Sequence, residues 1–164
     1  TKYVNDGYTL VNGEDYDVRD NNPMDFDGHG THVAGIAAGV GNNGVGILGS
    51  CYNCSIMPVR SGFNIINPSG NSVGSLEIDD VAAAIYYAVD NNATIISMSF
   101  GGGDSNTIRN AIAYAYGNGS ILVASSGNDG TNSQQYPCAY DEVSYTTEDA
   151  LGGKATYYMC HPDL

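Results

Sequence analysis

Between Glu77 and Ala124 the chain alternates between two hydrophobic periods, and this restricts its fold more than any other feature. Ile78, Val81, Ala82, Ile85, Ala88 and Val89 recur at helical spacing and predict an amphipathic helix over 77–91. The apolar run from Thr94 to Phe100 predicts a strand. Ser105 to Tyr116 returns to the helical period, with Asp104 or Ser105 as its N-cap. Ser120 to Ala124 is a further strand, and Ser55 to Arg60 reads as one ahead of the first helix. Strand–helix–strand–helix–strand with short links predicts an α/β fold, a parallel sheet in three layers flanked by helices. Ligands of such sheets bind beyond the carboxyl ends of the strands. That rule selects the loops 99–103 and 125–130, both built of small residues that let another backbone approach.

Upstream, residues 1–27 are polar and loop-like, with a short strand expected near Tyr8–Val11. His29, Val33, Ile36 and Ala37 then set a helix over 29–39, which Gly39 and Gly41 can end. Small and apolar residues surround this helix, so it is expected to be buried. No internal repeat or low-complexity tract is present.

Composition excludes several functions. Five basic residues face eighteen acidic ones, a net charge of -13, and nucleic acid is not an expected partner. No run of eighteen apolar residues could span a membrane as a helix. Cys51 and Cys54 form a lone C-x-x-C followed by a strand-like run. A local disulfide in an exported protein, or two free thiols, fits this better than a zinc or redox site.

The segment Asp27-Gly28-His29-Gly30-Thr31-His32-Val33-Ala34-Gly35-Ile36 resembles the histidine motif of the subtilase family of serine endopeptidases. Ser97-Met98-Ser99-Phe100-Gly101-Gly102 resembles the family's substrate-pairing strand, with Phe100 where Leu is usual. Val123 to Gly130 resembles its oxyanion segment. The resemblance implies a subtilisin-like fold, polypeptide substrates and an extracytoplasmic, monomeric enzyme. It makes His29 the general base and Asn128 the donor to the developing oxyanion. Ser99, Phe100 and Gly101 would lie along the substrate, and Ser125 and Gly127 would line the first specificity pocket. Gly74 and Ser75 would belong to a second, edge strand that clasps it. His32 is read as a buried packing residue.

The chemistry suits His29, because imidazole titrates near neutrality and a helix N-terminus disfavours its cationic form. The family's order is Asp, His, Ser. Yet no Asp-Ser/Thr-Gly precedes His29, and no Gly-Thr-Ser-Met-Ala follows Asn128. Residues 1–164 are therefore read as one partial catalytic domain, incomplete at both ends and inactive alone. The terminal His161-Pro162-Asp163-Leu164 suggests a circular permutant, but Lys154 stands where the catalytic Asp would then be.

No cofactor is needed for the chemistry. A structural calcium ion is the expected metal, because Gly41 to Ile47 resembles a family calcium loop with Asn43 as its side-chain ligand. The acidic loop of Asp15, Asp17, Asp20 and Asp25 offers further hard oxygen donors. The competing expectation is a non-catalytic, peptide-binding relative of the same fold. A redox protein built on Cys51 and Cys54 ranks below both.

Overall fold

The computed structural model of the chain describes residues 2–14, 16, 20–131, 133–141, 145–148 and 154–157. They divide into two compact units, Thr1–Glu77 and Ile78–Leu164.

The first unit contains helix α1 (Lys2–Asn5), strand β1 (Thr9–Leu10), helix α2 (His29–Ala38) and strands β2 (Gly62–Ile66) and β3 (Ser72–Leu76). The strands form an antiparallel sheet in the order β1-β2-β3, with Leu10 opposite Ile65 and Asn64 opposite Gly74. Asn67-Pro68-Ser69-Gly70-Asn71 closes the hairpin. The Asn67 side chain accepts hydrogen bonds from the Ser69 and Asn71 amides, and Gly70 takes the positive φ (82°) the turn needs. Phe63 is gripped edge-on by Tyr3 and Tyr16, each ring centre 5.4 Å away. The Tyr16 hydroxyl accepts from the Val11 amide and donates to the Asn64 carbonyl, which joins the acidic segment to β2. Arg60 pairs with the sheltered Glu14 at 2.9 Å.

The second unit holds helix α3 (Ile78–Asp90), strand β4 (Ile95–Met98), helix α4 (Asn106–Gly117) and strands β5 (Ile121–Ala124), β6 (Tyr145–Glu148) and β7 (Lys154–Tyr157). β4 and β5 are parallel, in register from Ile95/Ile121 to Met98/Ala124, and β6 and β7 pair antiparallel. Val81, Ala82 and Ile85 of α3 meet Ile108, Ala111, Ile112 and Ala115 of α4 over Met98, Leu122 and Ala124. The alanines let the two helices approach closely. Side chains of a strand alternate between faces. Met98, Leu122 and Ala124 are therefore covered while Ile95 and Ile121 stay 58% and 50% exposed.

Ser105, one of the two N-cap positions the sequence offers, stands at the N-cap of α4, but its side chain makes no cap. Instead the Tyr140 hydroxyl accepts from the Ser105 amide and donates to the Ser105 carbonyl, both at 3.0 Å. Arg109 lies over the Tyr140 ring, 4.5 Å from its centre.

Among the described residues the parallel pairing is that of β4 with β5, and the first unit's sheet is antiparallel. Two expectations change. Residues 55–60 form no strand, because apolar residues become a strand only when a neighbour exchanges hydrogen bonds with them. Finally, α2 has no buried residue, and Ile36 is 48% exposed. Short strands and one helical turn are too little material to wrap a ten-residue helix.

Candidate functional site

The entrance to α2 is a heavily bonded turn. Gly28 occupies the left-handed region (φ 90°) and turns the chain into the helix that begins at His29. The Asp25 carboxylate sits inside this turn. One oxygen accepts from the amides of Asp27 (3.0 Å) and Gly28 (2.8 Å). The other accepts from the amide (2.8 Å) and hydroxyl (2.7 Å) of Thr31. Desolvation pushes this carboxyl's pKa up, but those four donors outweigh it and hold it at about 2. The positive end of the helix that was expected to act on His29 thus already carries an anion.

Asn64, a buried amide on β2, braces the same turn. Its side chain donates to the Phe26 carbonyl (2.9 Å) and accepts from the Ser72 hydroxyl (2.9 Å). His29 is exposed at the mouth of this arrangement. His32 is exposed as well, not packed as expected: among the described residues nothing covers the face of α2 that carries it.

Strand β3 runs beside the turn. A side chain on Gly74 would come within 3.1–3.3 Å of the Asp27 carboxyl group, so glycine is what lets β3 pass there. Among the described residues β3 pairs on one side, with β2, and it carries Gly74 and Ser75. The Tyr3 hydroxyl reaches both Ser75 and Glu77. Hydrogen bonding to the Glu77 carboxylate raises the Tyr3 pKa.

The far end of α2 is closed by a returning segment. The amides of Ser50 and Cys51 donate to the carbonyls of Ile36 and Ala37, and Gly49 bonds back to Gly39. A side chain at Gly49 would strike the Ala38 backbone at 2.7 Å. The Cys51–Cys54 disulfide follows directly, which decides between the two options open for this pair.

Between Gly39 and Gly49 the loop 40–48 encloses a shallow concavity of about 180 Å³. Asn43 lies in it, its side-chain oxygen accepting from the Val45 amide at 3.0 Å. The loop's donor chemistry, backbone carbonyls and the side-chain amide oxygens of Asn42 and Asn43, suits a hard cation but includes no carboxylate. Asp15 and Asp17 lie outside the described residues. Asp20 accepts from the Asn22 amide in a local turn, and Asp25 is committed to α2. Among the described residues no cluster of three His, Cys, Asp or Glu side chains could hold a metal.

In the second unit, the loops after β4 and β5 come together as the sheet rule requires. The Ser125 amide bonds the Met98 carbonyl (3.1 Å), and the Ser125 hydroxyl reaches the Phe100 carbonyl (3.4 Å). Gly102 and Tyr136 exchange two backbone hydrogen bonds. That bridge lays the Gln135 side chain between two glycines. A Cβ on Gly101 would sit 3.1 Å from the Gln135 Oε1 atom, and one on Gly127 3.0 Å from its Cγ atom. Gly127 is also at φ 88°. Phe100 packs on the core, while Ser125, Gly127 and Asn128 are exposed on the loop rim.

Sequence reasoning missed three residues here. Asp25 carried a readable signal, an Asp just upstream of a helix, but was assigned to the acidic loop. Asn64 and Gln135 carried none, since each acts through neighbours distant in sequence.

The sequence model of the subtilase family matches residues 1–149. The chain is 38% identical over 135 residues to a thermophilic serine proteinase of Bacillus sp. (strain AK1), covering 82% of this chain and 32% of that protein. It is 37% identical over 150 residues to thermitase of Thermoactinomyces vulgaris, covering 90% and 51%. It therefore spans between a third and about half the length of these relatives. Among solved structures it resembles the psychrophilic subtilisin-like protease Apa1 from the Antarctic psychrotroph Pseudoalteromonas sp. AS-11. That match has a TM-score of 0.50 and 36% identity over 68% of this chain and 24% of the other.

Proposed function

The chain belongs to the subtilase family, and on that premise we propose that it forms part of a serine endopeptidase domain in which His29 is the general base. The observation that carries this reading is the α2 entrance, where an exposed imidazole stands on a turn whose Asp27, Gly28 and Thr31 amides all bond the Asp25 carboxylate. A serine hydroxyl from the rest of the protein attacks the peptide carbonyl, and its proton passes to the His29 imidazole. The carbonyl oxygen becomes an anion that accepts a hydrogen bond from the Asn128 carboxamide. Collapse of this intermediate transfers the proton from His29 to the departing amine, and water then repeats the cycle on the acyl-enzyme. A carboxylate partner for His29, also from the rest of the protein, orients the ring.

Polypeptides are the substrates in this reading, bound as an added strand. The open edge of β3 at Gly74 and Ser75 offers backbone groups for such pairing, as does the segment Ser99-Phe100-Gly101. Ser125 and Gly127 line the pocket for the residue before the cleaved bond. A structural calcium ion at Asn43 and the carbonyls of loop 41–47 has no role in the chemistry, and calcium that leaves the melting temperature unmoved would remove it. The Cys51–Cys54 disulfide favours an extracytoplasmic location. No helix among the described residues is long and apolar enough to cross a membrane.

The test uses the full-length protein, a chromogenic peptide and a serine-directed inhibitor. Cleavage that the inhibitor abolishes, and that His29→Ala lowers by orders of magnitude, supports the reading. Inhibitor-insensitive cleavage, or peptide binding without turnover, would replace it with another hydrolytic chemistry or with a binding module.

A further inference from the structure

We propose that Asp25 is the positioning residue for His29: its carboxylate fixes the turn that presents the imidazole, acting through the backbone and not by touching substrate. The inference rests on the reading of His29 as the base.

A helix in a globular protein is normally held by the face it buries. No residue of α2 is fully buried and only Val33, Ala34, Gly35 and Ala38 are partly covered, so its two ends carry much of what anchors it. At the far end the amides of Ser50 and Cys51 satisfy the last carbonyls. At the near end the Asp25 carboxylate takes every bond described above. Those bonds bracket His29, with Asp27 and Gly28 on one side and Thr31 on the other. The contacts to Asp27 and Gly28 set where the chain enters the helix. The double contact to Thr31, half a turn beyond His29, sets how the helix is rotated about its axis. Together they leave the Cα–Cβ bond of His29 one direction.

The anchor is itself anchored. Asn64 holds the carbonyl of Phe26, the residue after Asp25, and Asn64 is only 4% exposed on the central strand of the sheet. The path from β2 to the imidazole is therefore continuous: Asn64, Phe26, Asp25, the Gly28 turn, His29. Without the carboxylate, Gly28 has no side chain to cap the helix, and its left-handed backbone has no second constraint. A displacement of about 1 Å at a catalytic group can lower turnover about 10²-fold.

The experiment compares Asp25→Ala and Asp25→Asn in the full-length protein, assayed well below each variant's melting temperature. Asp25→Ala is expected to lower kcat by about 10- to 100-fold while KM changes less than about twofold. Asp25→Asn keeps one acceptor oxygen for the Asp27 and Gly28 amides and should fall between the two. A folded Asp25→Ala protein with unchanged kcat would overturn the proposal, as would a loss carried wholly by KM.

A second readout needs no turnover. The ring resonances of His29, recorded by NMR on labelled full-length protein, should shift or broaden in Asp25→Ala, while the methyl resonance of Ala37, at the end of α2 anchored by the Cys51 amide, stays in place as an internal control. If His29 and Ala37 respond alike, Asp25 is only a general support of the helix and the proposal fails. If His29 alone responds in a protein that cleaves nothing, the positioning role stands and the endopeptidase reading falls.

Discussion

Replacing Asp25 by asparagine removes a charge but keeps the shape of the side chain, so it isolates what the carboxylate adds to stability. The carboxyl titrates at about 2 in the folded protein, against 3.8 for an unperturbed side chain. Fully sheltered, a depression of that size corresponds to about 2.5 kcal/mol. Asp25 lies near the surface, and solvent screening reduces this to about 1 kcal/mol. That agrees with the loss of roughly 0.5–2 kcal/mol usual when a helix cap is removed. The folded pKa lies below the unfolded one, so this contribution is complete above about pH 5 and disappears as pH falls through 4 towards 2. The assay is urea unfolding of wild type and Asp25→Asn, followed by circular dichroism at fixed ionic strength. Only the difference between the two is informative, since the seventeen other acidic residues titrate in both proteins. The difference should be about 1 kcal/mol near pH 7 and close to zero near pH 2. A difference that stays constant across that range would mean the bonds to Asp27, Gly28 and Thr31 do not depend on charge, and the reasoning would be wrong.

Three further outcomes are expected. Gly74→Val drives a side chain into the Asp27 carboxyl group and should weaken a peptide-aldehyde inhibitor at least tenfold in the full-length enzyme, measured by competition. Unaltered inhibition would place substrate away from β3. Gln135→Gly empties the space between Gly101 and Gly127, so kcat/KM should rise for large aromatic residues before the cleaved bond relative to small ones, read from a peptide panel. An unchanged ranking would remove Gln135 from the specificity pocket. Replacing both Cys51 and Cys54 by serine releases a four-residue loop, and chain entropy gives a loss on the order of 2 kcal/mol. Hydrogen exchange should locate the loosening at the Ser50 and Cys51 amides, and equal exchange in both proteins would contradict the bracing role.

The sequence by itself determined the elements whose cause is local. α3, β4, α4 and β5 lie where their periodicity places them, because each has a continuous apolar face and all of them share one core. The histidine motif was legible for a similar reason: a glycine, a histidine and a helix start form one contiguous stretch. Tertiary structure decided whatever depends on a partner. Residues 55–60 have the composition of a strand, yet a strand exists only where a neighbour accepts its hydrogen bonds. Asp25 resembles any other acid of the polar loop until the chain folds four donors around it. Asn64 and Gln135 matter only because they lie beside residues far away in sequence, Phe26 for one and Gly101 for the other. Periodicity is a property of neighbouring residues, whereas the direction of a hydrogen bond or the wall of a pocket is set by chain segments that only folding brings together.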